Sequence, residues 1–434
     1  KEIIKEYHFV KDFETFPLAN YELFLNRPDV ILFKLGYTSP ELVEVYKKAH
    51  LKRLTNSGYS EKTDYLSIKK PTLILANRNT IQSISKSNNL TLNFKTEEPL
   101  DSLLIYINGV PILKNKPLKN QFEESIVLSN GLNKIAVLGI NKEGIQSESI
   151  NLEVTFKNDE KPTIHYFGIG VSKYAEASMN LKFADKDVRS LVKVFKTKFE
   201  GRVKIDTLNN ANATKENILA FKKKLANTNI NDIVIISFSG HGLVDDKNDF
   251  YFATHNIDFN KPETNGLAYA EIQKLVENIP ARKKLLLIDA CHSGELDTEE
   301  INETVQKSEN VTAYLPEGAK GTITVSKKSG FKTSFEIMKS SFNNADRGNG
   351  AFVISAAGGK EYAFENKEWG NGVFTFSFIN ALNDLKVDKF NNEQAITISM
   401  LKDYIYKNVK KLTNNKQKPT SRAENLDLDW ILIE

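Results

Sequence analysis

Two short polar segments of the sequence contain the side chains best suited to covalent chemistry. The first reads Ser239-Gly240-His241-Gly242, and the second reads Asp289-Ala290-Cys291-His292-Ser293-Gly294. Each follows an apolar run that is typical of a buried strand. If the two strands are neighbours in one sheet, the thiol of Cys291 and the imidazole of His241 lie side by side. The sequence therefore predicts a thiol next to a base.

A thiol beside an imidazole is the arrangement of a nucleophile with its general base. His241 can take the proton of Cys291 and later deliver it to a leaving amine, while the thiolate attacks a carbonyl carbon and forms an acyl-enzyme. The donors that we expect for the developing oxyanion are the backbone amides of Gly242 and Cys291. His292 also adjoins the nucleophile, but neighbouring residues of an extended segment point to opposite sides, so we expect it to lie behind the site.

The elements that must position these residues alternate between strands and helices from residue 163 to residue 434. Thr163 to Val171 reads as a strand, and Leu181 to Lys198 reads as a helix with one apolar stripe. Asn212-Ala213-Thr214 offers an N-cap for a helix through Leu225. Asp232 to Phe238 and Lys284 to Ile288 read as strands buried on both faces. This alternation predicts a mainly parallel sheet covered by helices, with functional groups beyond the carboxyl ends of its strands.

The chain upstream of this region has a different texture. Residues 1–70 are mixed, with a helical pattern from Pro40 to Leu54. Residues 71–158 contain short alternating runs separated by turns such as Asn108-Gly109, which predict roughly six or seven strands. We expect three domains: a short helical N-terminal segment at 1–70, an immunoglobulin-like β-sandwich at 71–158, and an α/β domain at 163–434.

Composition excludes several classes of protein. With 40% hydrophobic and 26% charged residues, the chain of 434 residues is neither disordered nor fibrous. The net charge of +4 is too small and too scattered for a nucleic-acid interface. No apolar run reaches the roughly 18 residues of a membrane span. Cys291 is the single cysteine, which excludes an internal disulfide and fits a reducing compartment. We expect a cytoplasmic protein, and the start at Lys1 suggests a fragment of a longer chain.

The two polar segments together resemble the active-site motifs of caspase-fold cysteine peptidases of the metacaspase type, as found in bacteria. The histidine precedes the cysteine by 50 residues, which matches the spacing in caspases. The resemblance covers roughly residues 163–434. It extends through Leu181 to Leu191, similar to the first helix of the family, and through Phe352 to Leu382, similar to the small-subunit region. Residues 26–54 and the sandwich are similar to the segment that joins a β-propeller to the peptidase in some bacterial members.

This resemblance implies a caspase-haemoglobinase-like α/β/α sandwich and a thiol protease with a Cys–His dyad. Caspases that cut after Asp have Gln two residues before the nucleophile, whereas this chain has Asp289 there, as metacaspases do. An acid in the pocket favours cleavage after Arg or Lys. We also assign Ser239, Ser355 and Asp258 to substrate binding. For Asp258, a loop turn is the more frequent role of such a residue.

We expect no cofactor, and a calcium dependence stays open without a clear set of ligands to support it. The acidic pair that metacaspases often place before the next helix is replaced by Ala268-Tyr269-Ala270-Glu271, which weakens both a deep basic pocket and a calcium requirement. Asp245, Asp246 and Asp249 lack the spacing of a calcium loop and predict a hairpin turn. We expect a monomer without bound metal that acts on protein or peptide substrates, with neither nucleic acid nor a membrane as partner.

The segment from about residue 297 to residue 350 is unusually long and rich in Ser, Asn and Lys. In the resembling family, self-cleavage occurs in the linker between the large and small regions. The segment is therefore either a self-processing site or a lid that is not cut. For the whole chain, the alternative to an active peptidase is a latent or inactive caspase-fold scaffold. Such a scaffold would recruit partners through its accessory domains, an upstream propeller or a regulatory protein.

Overall fold

The computed structural model of the chain describes residues 8–11, 14–17, 21–36, 40–56, 59–64, 70–114, 120–142, 146–245, 249–292, 319–320, 350–356, 363–385, 395–423 and 429–433. Among them, residues up to Asp159 form one compact unit, and residues from Glu160 onward form another. Most of the segment from 297 to 350 lies outside the described residues. In the described part of the chain, no helix combines the length and the apolar character that crossing a membrane requires.

The first unit begins with a hairpin and a group of helices. The hairpin consists of β1 (His8–Lys11) and β2 (Glu14–Pro17), and the helices are α1 (Glu22–Leu25), α2 (Pro28–Leu35) and α3 (Pro40–Asn56). A proline begins α2, and Gly36, with a φ of 68°, ends it in the left-handed conformation that glycine adopts without strain. The extent of α3 confirms the helix predicted from residue 40.

A β-sandwich follows in the same unit. Its strands are β3 (Ile74–Leu75), β4 (Ile84–Ser85), β5 (Asn89–Lys95), β6 (Ser102–Ile107), β7 (Val110–Lys114), β8 (Gln121–Val127), β9 (Gly131–Ile140) and β10 (Ile150–Phe156). They form sheets of order β3-β5-β8 and β4-β10-β9-β6-β7. Asn108 and Gly109 join β6 to β7 with φ values of 52° and 73°, as a two-residue hairpin turn requires. Both sheets contribute to one buried core that includes Leu92, Ile105 and Val137.

The second unit is built on a mainly parallel sheet, as predicted. Its strand order is β12-β11-β13-β16-β18-β22. The strands are β11 (Ile164–Gly170), β12 (Val203–Asn209), β13 (Ile233–Val244), β16 (Lys283–His292), β18 (Ala351–Ser355) and β22 (Thr420–Ala423). Within this order of described strands, only the β18–β22 pair is antiparallel. β14 (Phe250–Phe252) extends the sheet antiparallel to β13, and β15 (Leu267–Ala268) pairs with β14.

Helices cover both faces of this sheet. One face carries α4 (Ala184–Lys198), α8 (Val373–Asp384) and α9 (Ile398–Leu412); the other carries α5 (Lys215–Ala220), α6 (Lys222–Leu225) and α7 (Tyr269–Val276). Along β13, Ile233 and Ile235 are buried with the first group, and Val234 and Ile236 with the other. This explains why the strand reads as a continuous β-branched run. Smaller sheets are formed by β17 (Ala319–Lys320), β19 (Ala363–Asn366) and β20 (Asn371–Gly372), and by β21 (Ile396–Thr397) with β23 (Ile431–Ile433).

Four predicted boundaries of this unit need correction. The helix predicted from Leu181 begins at Ala184. The strands predicted to end at Phe238 and Ile288 continue to Val244 and His292, because their parallel pairing persists to Gly242 and His292 and β13 also pairs with β14 up to Val244. The motif residues that the structure describes, up to Gly242 and His292, are therefore extended backbone. The helix predicted to end at Leu225 is interrupted at Phe221, although it is capped as expected, since the hydroxyl of Thr214 accepts from the amide of Asn217 at 3.3 Å.

Candidate active site

The two predicted motifs lie side by side on neighbouring strands. The parallel register of β13 and β16 pairs Ser239 with Asp289 and His241 with Cys291. Adjacent strands of a sheet are about 4.8 Å apart, so His241 and Cys291 occupy neighbouring positions at the carboxyl edge of the sheet. This is the backbone placement that a cysteine–histidine dyad requires.

The imidazole of His241 is held in a buried setting that selects its tautomer. The side chain is 3% exposed, and Nε2 lies 2.8 Å from the carbonyl oxygen of Met179. Because a carbonyl oxygen can only accept, Nε2 carries the proton, and the lone pair of the neutral ring is at Nδ1. The rings of Tyr174 and Phe259 lie against the imidazole, with centroid distances of 5.1 and 5.7 Å. The ring is thus fixed with Nδ1 as the atom that can accept a proton.

The backbone around His241 is fixed as well. Its amide donates a hydrogen bond to the hydroxyl of Tyr174 at 2.9 Å. A Cβ atom on the preceding Gly240 would lie 2.9 Å from that hydroxyl and 3.1 Å from the ring of Phe252. The first glycine of the motif is therefore needed for the close approach of strand β13 to the two aromatic side chains.

Two buried carboxylates lie near the paired motifs, one on β16 and one on α4. Asp289 is 3% exposed and accepts a hydrogen bond at Oδ2 from the hydroxyl of Thr375 at 2.7 Å. Asp187, on α4, is completely buried and accepts at Oδ2 from the hydroxyl of Ser239 at 2.6 Å. All four side chains line one small cavity of about 10 Å³, roughly the room of a single water molecule.

Asp187 also accepts at its other oxygen. The side-chain amide of Asn371 and the backbone amide of Gly372 donate to Oδ1 at 3.0 and 2.8 Å. The hydroxyl of Tyr166 lies 2.7 Å from that of Ser237, which lines the cavity. Burial raises the pKa of Tyr166, the hydrogen bond with Ser237 acts in the opposite direction, and the charge of Asp187 raises the pKa further. The pocket therefore combines two acids with several neutral donors, a set suited to a positively charged side chain.

Comparison with known proteins bears on this arrangement. A family model of the caspase domain matches residues 168–429, more than half of the chain. The chain belongs to the caspase-domain family. Membership implies a cysteine-type peptidase, in a family that also includes inactive members.

No curated protein matches the chain. Among solved structures, the chain is similar to protein GSU0716 from Geobacter sulfurreducens, with 14% sequence identity and a TM-score of 0.41, over 60% of this chain and 93% of that chain. A likeness of this size carries no argument about fold or function.

Two other predicted residues lie at the same edge of the caspase domain. Gly242 follows His241 directly on β13, and its Cα is the register partner of His292. Ser355 is the last residue of β18 and pairs with Ile288 on β16. Gly242 thus belongs to the paired motifs, and Ser355 lies beside the residue that precedes the second motif.

Asp258 occupies a different environment. Its Oδ1 accepts hydrogen bonds from the backbone amides of Asn260 and Lys261 at 2.9 and 3.2 Å, and the side chain is absent from the lining of the acidic cavity. The structure therefore gives this carboxylate a turn-forming role, and we do not include it in the pocket.

Asp245 and Asp249 lie between β13 and β14 and are hydrogen-bonded to each other. Oδ1 of Asp245 accepts from the amide of Asp249 at 2.9 Å, and Oδ2 accepts from the hydroxyl of Tyr251 at 3.2 Å. Burial raises the pKa of Tyr251 to about 12, and the charge of Asp245 adds to this effect. Asp246 lies outside the described residues. Within the described ranges, no group of three or more His, Cys, Asp or Glu side chains is arranged to hold a metal ion.

Sequence reasoning missed several members of the site. Asp187 had a detectable signal, because it stands three residues after Ala184 and four before Leu191 and so belongs to the apolar stripe of α4. A buried carboxylate on such a stripe needs hydrogen-bond donors, and Asp187 accepts three hydrogen bonds among the described contacts. Met179 and Thr375 had no comparable signal. Met179 acts through a backbone carbonyl, and Thr375 has the sequence context of an ordinary helix residue.

Proposed function

We propose that the protein is a cysteine endopeptidase of metacaspase type that cleaves peptide bonds after Arg or Lys. The observation that carries the proposal is the register of β13 and β16, which sets His241 beside Cys291 and, two residues earlier, Ser239 beside Asp289. A nucleophile, its base and an acidic pocket thus lie at one edge of the sheet, where ligands of parallel sheets usually bind.

The proposed reaction proceeds through an acyl-enzyme. Nδ1 of His241 takes the thiol proton of Cys291, and the thiolate sulfur attacks the carbonyl carbon of the scissile bond. The amides of Gly242 and Cys291 stabilise the oxyanion. The imidazolium then protonates the leaving amine as the C–N bond breaks. A water molecule that gives a proton to the same imidazole hydrolyses the thioester and restores the thiol. The Met179 carbonyl supports the protonated ring throughout by accepting from Nε2.

Asp289 and Asp187 support the proposed specificity. Both are buried carboxylates on one cavity, and none of the described residues that line it is basic. A substrate Arg or Lys would bring a positive charge to these acids, whereas a substrate Asp would add a third negative charge to a setting of low dielectric. Because the cavity has room for about one water molecule, the pocket must widen when such a side chain enters.

We propose accessory or regulatory roles for the rest of the chain. Residues 71–158 would be an immunoglobulin-like domain that positions the peptidase or binds a partner, since its sequence contains no catalytic constellation. Basic residues between 297 and 350 would be self-processing sites of a zymogen. The alternative is a latent scaffold that uses the same accessory domains to recruit partners.

Hydrolysis of matched fluorogenic peptides tests the proposal. The peptides differ only in a terminal Arg, Lys or Asp, and the full chain is compared with its Cys291→Ala and His241→Ala variants, with and without calcium. Turnover of Arg and Lys peptides that both substitutions abolish is the expected result. Preference for Asp peptides would contradict the pocket assignment. Absence of turnover, together with an intact chain by mass spectrometry, would favour the scaffold.

A further inference from the structure

The start of α8 is hydrogen-bonded to both pocket acids. The amide of Gly372, immediately before the helix, donates to Asp187 at 2.8 Å, and the hydroxyl of Thr375, in its first turn, donates to Asp289 at 2.7 Å. The first turn of α8 contains no acidic residue. The positive end of the helix dipole therefore acts on the two carboxylates without an opposing charge from that turn.

The bond from Thr375 restricts the carboxylate of Asp289. Both side chains are 3% exposed, so bulk water does not compete for the bond. The donor is fixed in turn, because its helix neighbours Phe374 and Phe378 are 1% and 0% exposed in the core between helices and sheet. A carboxylate held at Oδ2 by a fixed donor loses the freedom to rotate about its last bond. Its plane is therefore set before a substrate arrives.

A fixed plane matters more for one basic side chain than for the other. A guanidinium binds a carboxylate best through two parallel N–H···O bonds, which require the two groups to be coplanar. An ammonium group acts as a compact point charge and is indifferent to that plane. Pre-orientation of the acid should thus favour arginine.

We propose that Thr375 is a positioning residue for specificity, which orients Asp289 for bidentate binding of a substrate arginine and so makes the pocket prefer Arg to Lys. The inference rests on the proposed function, because it takes Asp289 to be the group that binds the basic side chain.

Three single variants in α8 test the proposal with matched Arg and Lys peptides. Thr375→Val removes the hydroxyl at similar side-chain volume, and Thr375→Ser keeps the hydroxyl. Ser377→Ala is the control, because it removes a different buried hydroxyl. The Ser377 hydroxyl accepts a hydrogen bond from Asn408 at 3.2 Å, and Ser377 does not line the cavity. Thr375→Val should raise KM for the Arg peptide roughly tenfold, change KM for the Lys peptide less than about threefold, and leave kcat nearly unchanged. Thr375→Ser should restore the preference, and Ser377→Ala should preserve it.

A binding measurement separates this inference from the proposed peptidase activity. Agmatine, which carries a guanidinium at one end and an ammonium at the other, and 1,4-diaminobutane, which carries an ammonium at both ends, are titrated calorimetrically into the Cys291→Ala protein with and without Thr375→Val. Agmatine should bind roughly tenfold more weakly when the hydroxyl is absent, with little change for 1,4-diaminobutane.

The outcomes are distinct. Cleavage after Arg with an unchanged Arg-to-Lys ratio in Thr375→Val would overturn the inference and leave the peptidase proposal intact. Agmatine binding that depends on Asp289 and Thr375, in a protein that cleaves no peptide, would support the inference and overturn the peptidase. Failure of agmatine to bind a protein whose parent cleaves Arg peptides would overturn the inference and leave the peptidase proposal intact, whereas failure to bind together with absence of turnover would overturn both.

Discussion

Replacing Asp187 is the most informative test of how the pocket is held together. This carboxylate is completely buried and accepts hydrogen bonds from Ser239, Asn371 and Gly372 at 2.6, 3.0 and 2.8 Å. It thereby connects α4 to β13 and to the start of α8. Asp187→Ala removes all three bonds in one step, whereas Asp187→Asn retains an oxygen for the two N–H donors.

The expected loss of stability follows from the fate of each donor. The Gly372 amide has no freedom to turn away, and leaving such a buried group unsatisfied costs about 1–3 kcal/mol. The Asn371 amide keeps a bond to Ser190 at 3.1 Å, and the Ser239 hydroxyl can rotate, so each of these contributes less. Because the three effects are not additive, we expect a total of about 3 kcal/mol for Asp187→Ala and about 1 kcal/mol for Asp187→Asn.

Urea unfolding followed by tryptophan fluorescence measures this loss in the intact chain. The protein has two tryptophans, Trp369 and Trp430, and both belong to the unit from residue 160 onward, so the signal reports that unit. At an m-value of about 3 kcal/mol per molar urea, Asp187→Ala should lower the midpoint by roughly 1 M. Asp403→Ala, at a side chain that is 64% exposed, is the matched control and should change it little. A loss below about 1 kcal/mol for Asp187→Ala would refute the reasoning.

Three further predictions concern the same part of the chain. Gly170→Ala should cost about 1–3 kcal/mol of unfolding free energy in the same assay, because the new Cβ would lie 2.7 Å from the carbonyl oxygen of Ala184. Burial raises the pKa of Asp185, but hydrogen bonds from its neighbours outweigh this effect and hold the pKa below its usual value. The stability that the Asp185 carboxylate contributes is therefore complete above about pH 4, and it is lost as the pH falls through the lower pKa of the folded state. The urea midpoints of the parent protein and of Asp185→Asn should converge over that pH range. Tyr174→Phe should lower kcat roughly tenfold with little change in KM, since the amide of His241 loses its acceptor while the ring contact remains.

The sequence was sufficient to predict the architecture around the site because its local signals agree with the fold. A β-branched run indicated β13, a leucine-rich run indicated β16, and the regular spacing of apolar residues indicated α4. The pairing of His241 with Cys291 followed from two motifs at the ends of parallel strands. The register then placed the two residues opposite each other.

The rest of the site depends on contacts between distant parts of the chain. The Met179 carbonyl reaches His241 across 62 residues, and Thr375 reaches Asp289 across 86. No periodic pattern encodes a backbone acceptor or a single hydroxyl donor. Asp258 shows the converse case, because its residue type suited both a pocket and a turn, and only its contacts with the following amides distinguish the two.

The central claim is that His241 activates Cys291 as a nucleophile beside a pocket for basic side chains. Covalent labelling with an arginyl chloromethyl ketone, followed by peptide mass spectrometry, measures this most directly. The account predicts one label per chain, located on Cys291, formed much faster than with the aspartyl analogue and strongly slowed by His241→Ala. Labelling at equal rates with both reagents, or unchanged by His241→Ala, would contradict it.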